Sequence, residues 1–190
     1  MVFSSIILST FNITRTVKIE NIVASGALNC EIDLRKLSEQ CPYVVYGKNK
    51  YPGGYVKFDG HSITIYRTGK YIMPGMTSFE EMTSVFDKFV SILSPFIDTS
   101  NAMRPEIRNM VCSSNVGSTI DLNKAYLGLI SMDLDAIYEP ETFPGLILKN
   151  SNATYNVFKS GKFLILGITS VDDAESSEQY FLNLFDSISY

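Results

Sequence analysis

Covalent and acid–base chemistry has little to work with in this chain. Its one histidine, His61, sits in Asp59-Gly60-His61, a hairpin-turn signal, and reads as a solvated turn residue. Cys30, Cys41 and Cys112 are odd in number and show no C-x-x-C spacing, which points to a reducing compartment without disulfides or zinc. The pairs Asp133/Asp135 and Asp172/Asp173 read as helix-end or loop acids. No nucleotide-cradling glycine loop, metal-spaced His/Cys set or nucleophile–histidine pair is present, so no catalysis, metal or cofactor is expected. What the chain repeats instead is the chemistry of binding. The basic turn Arg67-Thr68-Gly69-Lys70, followed by Gly75, returns 92 residues later as Lys159-Ser160-Gly161-Lys162, followed by Gly167.

That recurrence extends to most of the chain. Lys18-Ile19-Glu20-Asn21-Ile22-Val23 returns as Glu106-Ile107-Arg108-Asn109-Met110-Val111 at an offset of 88, and Tyr51-Pro52-Gly53 as Phe143-Pro144-Gly145 at 92. The spacing implies a pseudo-two-fold molecule of two repeats, over 17–100 and 101–190, after an N-terminal extension over 1–16. The extension holds the apolar Ile6-Ile7-Leu8 but lacks a basic segment and a small-residue cleavage site, so an extra strand or frayed tail is expected, not a signal peptide. No stretch reaches the length of a membrane span.

Each repeat predicts the order β-α-β-β-β-α. A β-rich opening (17–25; 107–113) leads to a short helix with an aspartate near its start (33–40; 121–130). A three-strand meander follows, at 54–58, 62–67 and 70–73, then at 145–149, 153–159 and 162–166, joined by small turn residues. A long helix closes each half, 78–96 or 170–188, with Ser78/Glu81 as a capping box and Ser170/Asp173 as its echo. Phe79, Met82, Phe86, Phe89, Val90 and Leu93 fall on one face of the first long helix and read as core. The fold class is therefore α+β: helices gathered on one face of an antiparallel sheet, with the other face open.

Strand alternation states what the open face displays. With Ile22, Ala24, Val56, Ile65, Tyr71 and Met73 under the helices, the far side shows Asn21, Val23, Tyr55, Lys57, Thr64, Tyr66 and Ile72. The second repeat shows Asn109, Val111, Ile147, Lys149, Asn156, Phe158 and Leu164. A surface of aromatics, aliphatics, amides and lysines marks a binding face. Net charge is −4, but it is segregated. Residues 143–170 contain no acid and three lysines, while Asp172, Asp173, Glu175 and Glu178 crowd the closing helix.

The run Glu20-Asn21-Ile22-Val23-Ala24-Ser25 and the two Thr/Ser-Gly-Lys…Gly turns resemble the TATA-box-binding protein family. So does Tyr138-Glu139-Pro140-Glu141-Thr142-Phe143-Pro144-Gly145-Leu146, and the likeness covers about residues 17–190. The resemblance implies a saddle, a curved antiparallel sheet with helices on its convex face, pressed into the minor groove of A·T-rich promoter DNA; the family is itself a known case of this kinking. It implies intercalating wedges at Tyr51, Tyr66, Phe143 and Phe158. Asn21 and Asn109 would donate to acceptors near the centre of the site, with Val23, Val111, Ile72, Leu164, Thr64 and Asn156 along the groove floor. Lys57, Lys70, Lys149 and Lys162 would meet phosphates, and Glu139 and Glu141 would contact transcription factor B, which with RNA polymerase completes the implied partners.

The chain departs from the family at named positions. Tyr51 and Tyr66 stand for phenylalanines, Thr64 and Asn156 for aliphatics, and Pro74 and Leu166 for paired threonines. The hairpin before each basic turn is trimmed, and the first stirrup, Tyr46 to Tyr51, carries lysines where the family has glutamates. An initiation factor is the implied function, archaeal in type and intracellular, in archaeal cytoplasm or a nucleus. A diverged saddle that acts through protein partners or as a regulator, with altered DNA binding, is the alternative.

Overall fold

Aspartate and serine caps set the helix starts, as their side chains require. In the computed structural model, which describes residues 17–47 and 51–188, Asp33 Oδ1 accepts from the amides of Arg35 and Lys36, and Asp121 Oδ1 from those of Asn123 and Lys124. Ser78 and Ser170 cap the long helices through Glu81 N and Asp173 N. Glu81 reaches back to the amide and hydroxyl of Thr77, one residue before the cap. The extension 1–16 and Lys48, Asn49 and Lys50 of the first stirrup lie outside the described residues.

The first repeat runs Lys18–Ala27 (β1), Leu34–Gln40 (α1), Val44–Val45 (β2), Gly54–Phe58 (β3), His61–Ile65 (β4), Lys70–Met76 (β5) and Phe79–Leu93 (α2). The second runs Glu106–Asn115 (β6), Leu122–Ser131 (α3), Asp135–Ile137 (β7), Leu146–Lys149 (β8), Thr154–Val157 (β9), Lys162–Ile168 (β10) and Val171–Ser187 (α4). Each repeat thus has one strand more than its periodicity predicts, because β2 and β7 are too short to show alternation. The strands expected over 62–67 and 153–159 end earlier, at Ile65 and Val157. Beyond them Tyr66 and Phe158 each exchange backbone hydrogen bonds within the basic turn, to Lys70 and Gly69 or to Lys162 and Gly161.

One antiparallel sheet spans both repeats in the order β2-β3-β4-β5-β1-β6-β10-β9-β8-β7, a palindrome with the opening strands paired at its centre. The sheet is open and curved, with four helices over one face. Beneath them lie Ile22, Ala24, Val56, Ile65, Tyr71 and Met73, each fully buried, as alternation requires. Aromatic pairs fill the two halves: Tyr71 against Phe89 at 5.3 Å between ring centres, and Phe163 against Phe181 at 4.3 Å. His61 is less solvated than its turn position suggests. Its ring lies beside Phe58, and Nε2 is 3.9 Å from Glu81 Oε1, because the hairpin folds back over the start of α2.

Candidate nucleic-acid interface

The face without helices carries the expected side chains in two matching rows. Cross-strand pairing aligns Tyr55, Thr64, Ile72 and Ser25 in one half, and Ile147, Asn156, Leu164 and Ser113 in the other. At the centre Ile22 pairs with Met110, its own duplicate, so the pseudo-two-fold axis passes between them. Asn21 then faces Val111, and Val23 faces Asn109.

Two bulges orient the central amides. The ladder shifts register between Ile22 and Ala24 opposite β5, and between Leu166 and Ile168 opposite β6. Gly75 and Gly167 sit there with φ of 92° and 87°, a backbone that glycine adopts without strain. The Gly75 amide donates to Asn21 Oδ1 at 3.0 Å and the Gly167 amide to Asn109 Oδ1 at 3.2 Å. A backbone N–H can only donate, so each carboxamide oxygen must face its glycine. Both Nδ2 groups are left to donate away from the bulge.

At each end of the face two rings meet. Tyr51 and Tyr66 share a hydroxyl–hydroxyl hydrogen bond of 2.7 Å, and Tyr51 stacks on Tyr55 at 5.7 Å and 14°. That bond pushes the Tyr51 phenol pKa up. Phe143 and Phe158 meet edge-on, 5.9 Å apart at 63°. The Pro-Gly steps explain how these rings fit: a Cβ on Gly53 would lie 2.8 Å from the Tyr51 ring, and one on Gly145 would lie 2.7 Å from Phe143.

Lys57, Lys70 and Lys149 are exposed, and among the described residues no carboxylate lies within ion-pair reach of them. Lys162 is different: its Nζ is 3.1 Å from Glu20 Oε1. Glu20 also accepts from Ser113 Oγ at 2.7 Å and pairs with Lys18 at 3.1 Å. Those bonds, the Ser113 hydroxyl first, hold its carboxyl at a pKa of about 2. Pro74 and Leu166 stand on the open face in phase with Ile72 and Leu164. Glu139 and Glu141 lie exposed in the turn before Phe143, whose amide bonds the Glu139 carbonyl at 2.9 Å.

Sequence reasoning missed Glu20 and Arg108. Both are bulged residues without a partner across the β1–β6 ladder, which skips from Ile19 to Asn21 and from Ala24/Ile107 to Val23/Asn109. A bulge reverses the alternation, so Ile19 turns toward the helices with Cys112 while Asn21 stays on the open face. The repeat offset of 88 between Glu20 and Arg108 was the available signal. Among the described residues no group of three or more His, Cys, Asp or Glu side chains could hold a metal.

Known proteins share this architecture. The family model described as transcription factor TFIID, or TATA-binding protein, matches residues 16–96 and again 104–188. TATA-box-binding protein C of Halobacterium salinarum is 35% identical over 174 residues, covering 87% of this chain and 95% of that protein. The TATA-box-binding protein of Thermococcus celer is 33% identical over 162 residues, 83% and 84% of the two chains. Among solved structures, the Methanococcus jannaschii TBP superposes with a TM-score of 0.79 at 28% identity, over 90% of this chain and 98% of that one.

Proposed function

This chain belongs to the TATA-binding protein family, and on that premise we propose that it initiates transcription by seating its open face in the minor groove of A·T-rich promoter DNA and bending it. The observation that carries the reading is the pair of central carboxamides. With both oxygens turned to glycine amides, Asn21 and Asn109 present their Nδ2 donors to a partner. The A·T minor groove offers only acceptors, adenine N3 and thymine O2, and it offers them alike for A·T and T·A. Val23, Val111, Ile72 and Leu164 pack on the floor, where a guanine amino group would clash. Thr64 and Asn156 make that floor more polar than aliphatics would.

The end rings act as wedges. Phe143 and Phe158 replace base stacking at one kinked step, Tyr51 and Tyr66 at the other, and unstacking is repaid by the surface that the bent duplex covers. Lys57, Lys70, Lys149 and Lys162 neutralise phosphates. Glu139 and Glu141, exposed beside the Phe wedge, contact transcription factor B, which brings RNA polymerase. The protein works inside the cell as a binding factor without catalysis of its own.

Titration into an A·T-rich promoter duplex labelled at both ends tests this. The two ends approach with wild-type protein, and less so with Phe143→Ala or Phe158→Ala than with Tyr51→Ala or Tyr66→Ala. A duplex that stays straight across several sequences at low salt refutes the groove-binding saddle. The Tyr51–Tyr66 bond, which closes the first wedge on itself, favours a second reading: a saddle that serves a protein partner. Salt-insensitive association with a protein, and none with DNA, would support it.

A further inference from the structure

Glu20 and Arg108 occupy one position of the duplication with opposite charge. Each is the bulged, unpaired residue of its central strand, two residues from the symmetric asparagine pair's far neighbours Lys18 and Glu106. Arg108 Nε donates to Ser25 Oγ at 2.8 Å and Nη2 lies 2.9 Å from Glu106 Oε2. Its guanidinium borders a hollow of about 460 Å³ on the open face, shared with Val23, Ile72, Tyr66 and Lys70. Across the axis Ser113, the duplicate of Ser25, donates instead to Glu20. The trios Lys18–Glu20–Lys162 and Glu106–Arg108–Lys70 each hold two cations and one acid, and Arg104, which also lines the hollow, is engaged by Asp87 at 3.1 Å. What differs is which sign stands nearer the axis.

A guanidinium carries donors only, and a carboxylate acceptors only. In the minor groove A·T pairs show acceptors only, while a G·C pair adds the guanine N2 donor. Resting on the groove-binding reading above, we propose that Arg108 and Glu20 determine the direction in which the chain sits on an asymmetric site. Arg108 draws the first repeat to the half made of A·T pairs alone. Glu20 repels that half and accepts from a guanine amino group in the other, at the step beside Ser113 and Lys162 and not over the aliphatic floor of Val111 and Leu164, so the second repeat takes the half that contains a G·C pair there. The carboxylate has lone pairs to spare beyond its three present partners.

The test uses a duplex with one A·T-only half and one half holding a single G·C pair. A donor dye sits at either end in turn, and an acceptor on Ser151→Cys in a Cys30→Ser background. A second duplex, labelled at both ends, reads bending independently of direction. At saturating protein, the wild-type pair of faces should favour the stated orientation by about fivefold or more, the size of one good base-edge contact. Glu20→Gln/Arg108→Gln should bring the ratio below about twofold, and Glu20→Arg/Arg108→Glu should reverse it. If the reversed variant does not fold, the Gln/Gln variant decides. DNA that is bent without bias overturns the proposal and leaves the saddle reading standing. So does a bias that survives Gln/Gln. DNA that is neither bound nor bent overturns both.

Discussion

Replacing Asn109 by Asp changes one atom of the proposed contact and almost nothing else. The retained oxygen still accepts from the Gly167 amide, now 3.2 Å from Asn109 Oδ1. The nitrogen becomes a second oxygen, so a donor facing groove acceptors turns into an anion. Losing one such hydrogen bond costs about 1–3 kcal/mol. A new unit charge several ångströms from phosphates adds about 1 kcal/mol at near-aqueous dielectric. The sum, about 2–4 kcal/mol, weakens binding roughly 30- to 700-fold. Folding stability should change by less than about 0.5 kcal/mol, because the side chain is half-exposed and its internal bond survives. Asn109→Ala loses the donor without adding charge, so its affinity loss should be smaller, and its salt dependence should match wild type because no phosphate contact is removed. Anisotropy titrations of an A·T-rich duplex, beside thermal melts, measure both quantities. Folded Asn109→Asp protein that binds within threefold of wild type would refute the amide assignment. Asn21→Asp should behave alike, since Gly75 holds Asn21 in the same way.

Further outcomes follow from the packing and the charges. Gly161 has φ +85° and a Cβ there would lie 2.1 Å from the Ser118 carbonyl oxygen, whereas Gly117, at φ +86°, has open space around it. Gly161→Ala should therefore cost about 2–4 kcal/mol and lower the melting point by roughly 5–12 °C, with Gly117→Ala costing about 1 kcal/mol; equal losses would contradict the contact. Phe181→Ala empties a site against Phe163 at 4.3 Å and Tyr155 at 5.3 Å, and should cost about 3–5 kcal/mol in urea unfolding. Glu20, lowered from 4.5 to about 2, stabilises the fold fully above its ordinary pKa and loses that contribution as pH falls toward 2. The stability gap between wild type and Glu20→Gln should be constant above about pH 5.5 and shrink below it; melts showing a flat gap down to pH 3 would exclude the pairing.

Much of this molecule is local in origin and legible along the chain. Asp33, Ser78, Asp121 and Ser170 start helices because a short oxygen-bearing side chain satisfies amides two or three residues ahead. Alternation separates Ile65 and Tyr71 from Thr64 and Ile72 because successive strand residues point to opposite faces. Tyr51 and Tyr66 meet at one end of the open face and Phe143 and Phe158 at the other; that Tyr51 bonds Tyr66 while Phe143 only touches Phe158 follows from two hydroxyls no periodicity reports. Alternation extended back from Asn21 would put Ile19 on the open face, and the bulge at Glu20 reverses that phase. The repeated Gly75 and Gly167 were visible as letters, but their service to Asn21 and Asn109 was not.

The sequence by itself determined the two repeats, the order of their longer elements, and which side chains of the regular strands share a face, since caps, turns and alternation act over a few residues. Tertiary structure decided what those side chains meet. The partners of Asn21 and Glu20 lie 54 residues away at Gly75, 93 at Ser113 and 142 at Lys162. Such contacts depend on strand order and register, which one bulge can reset for every residue beyond it. The duplication thus specified a symmetric sheet, and the fold placed a carboxylate and a guanidinium on equivalent spots of it.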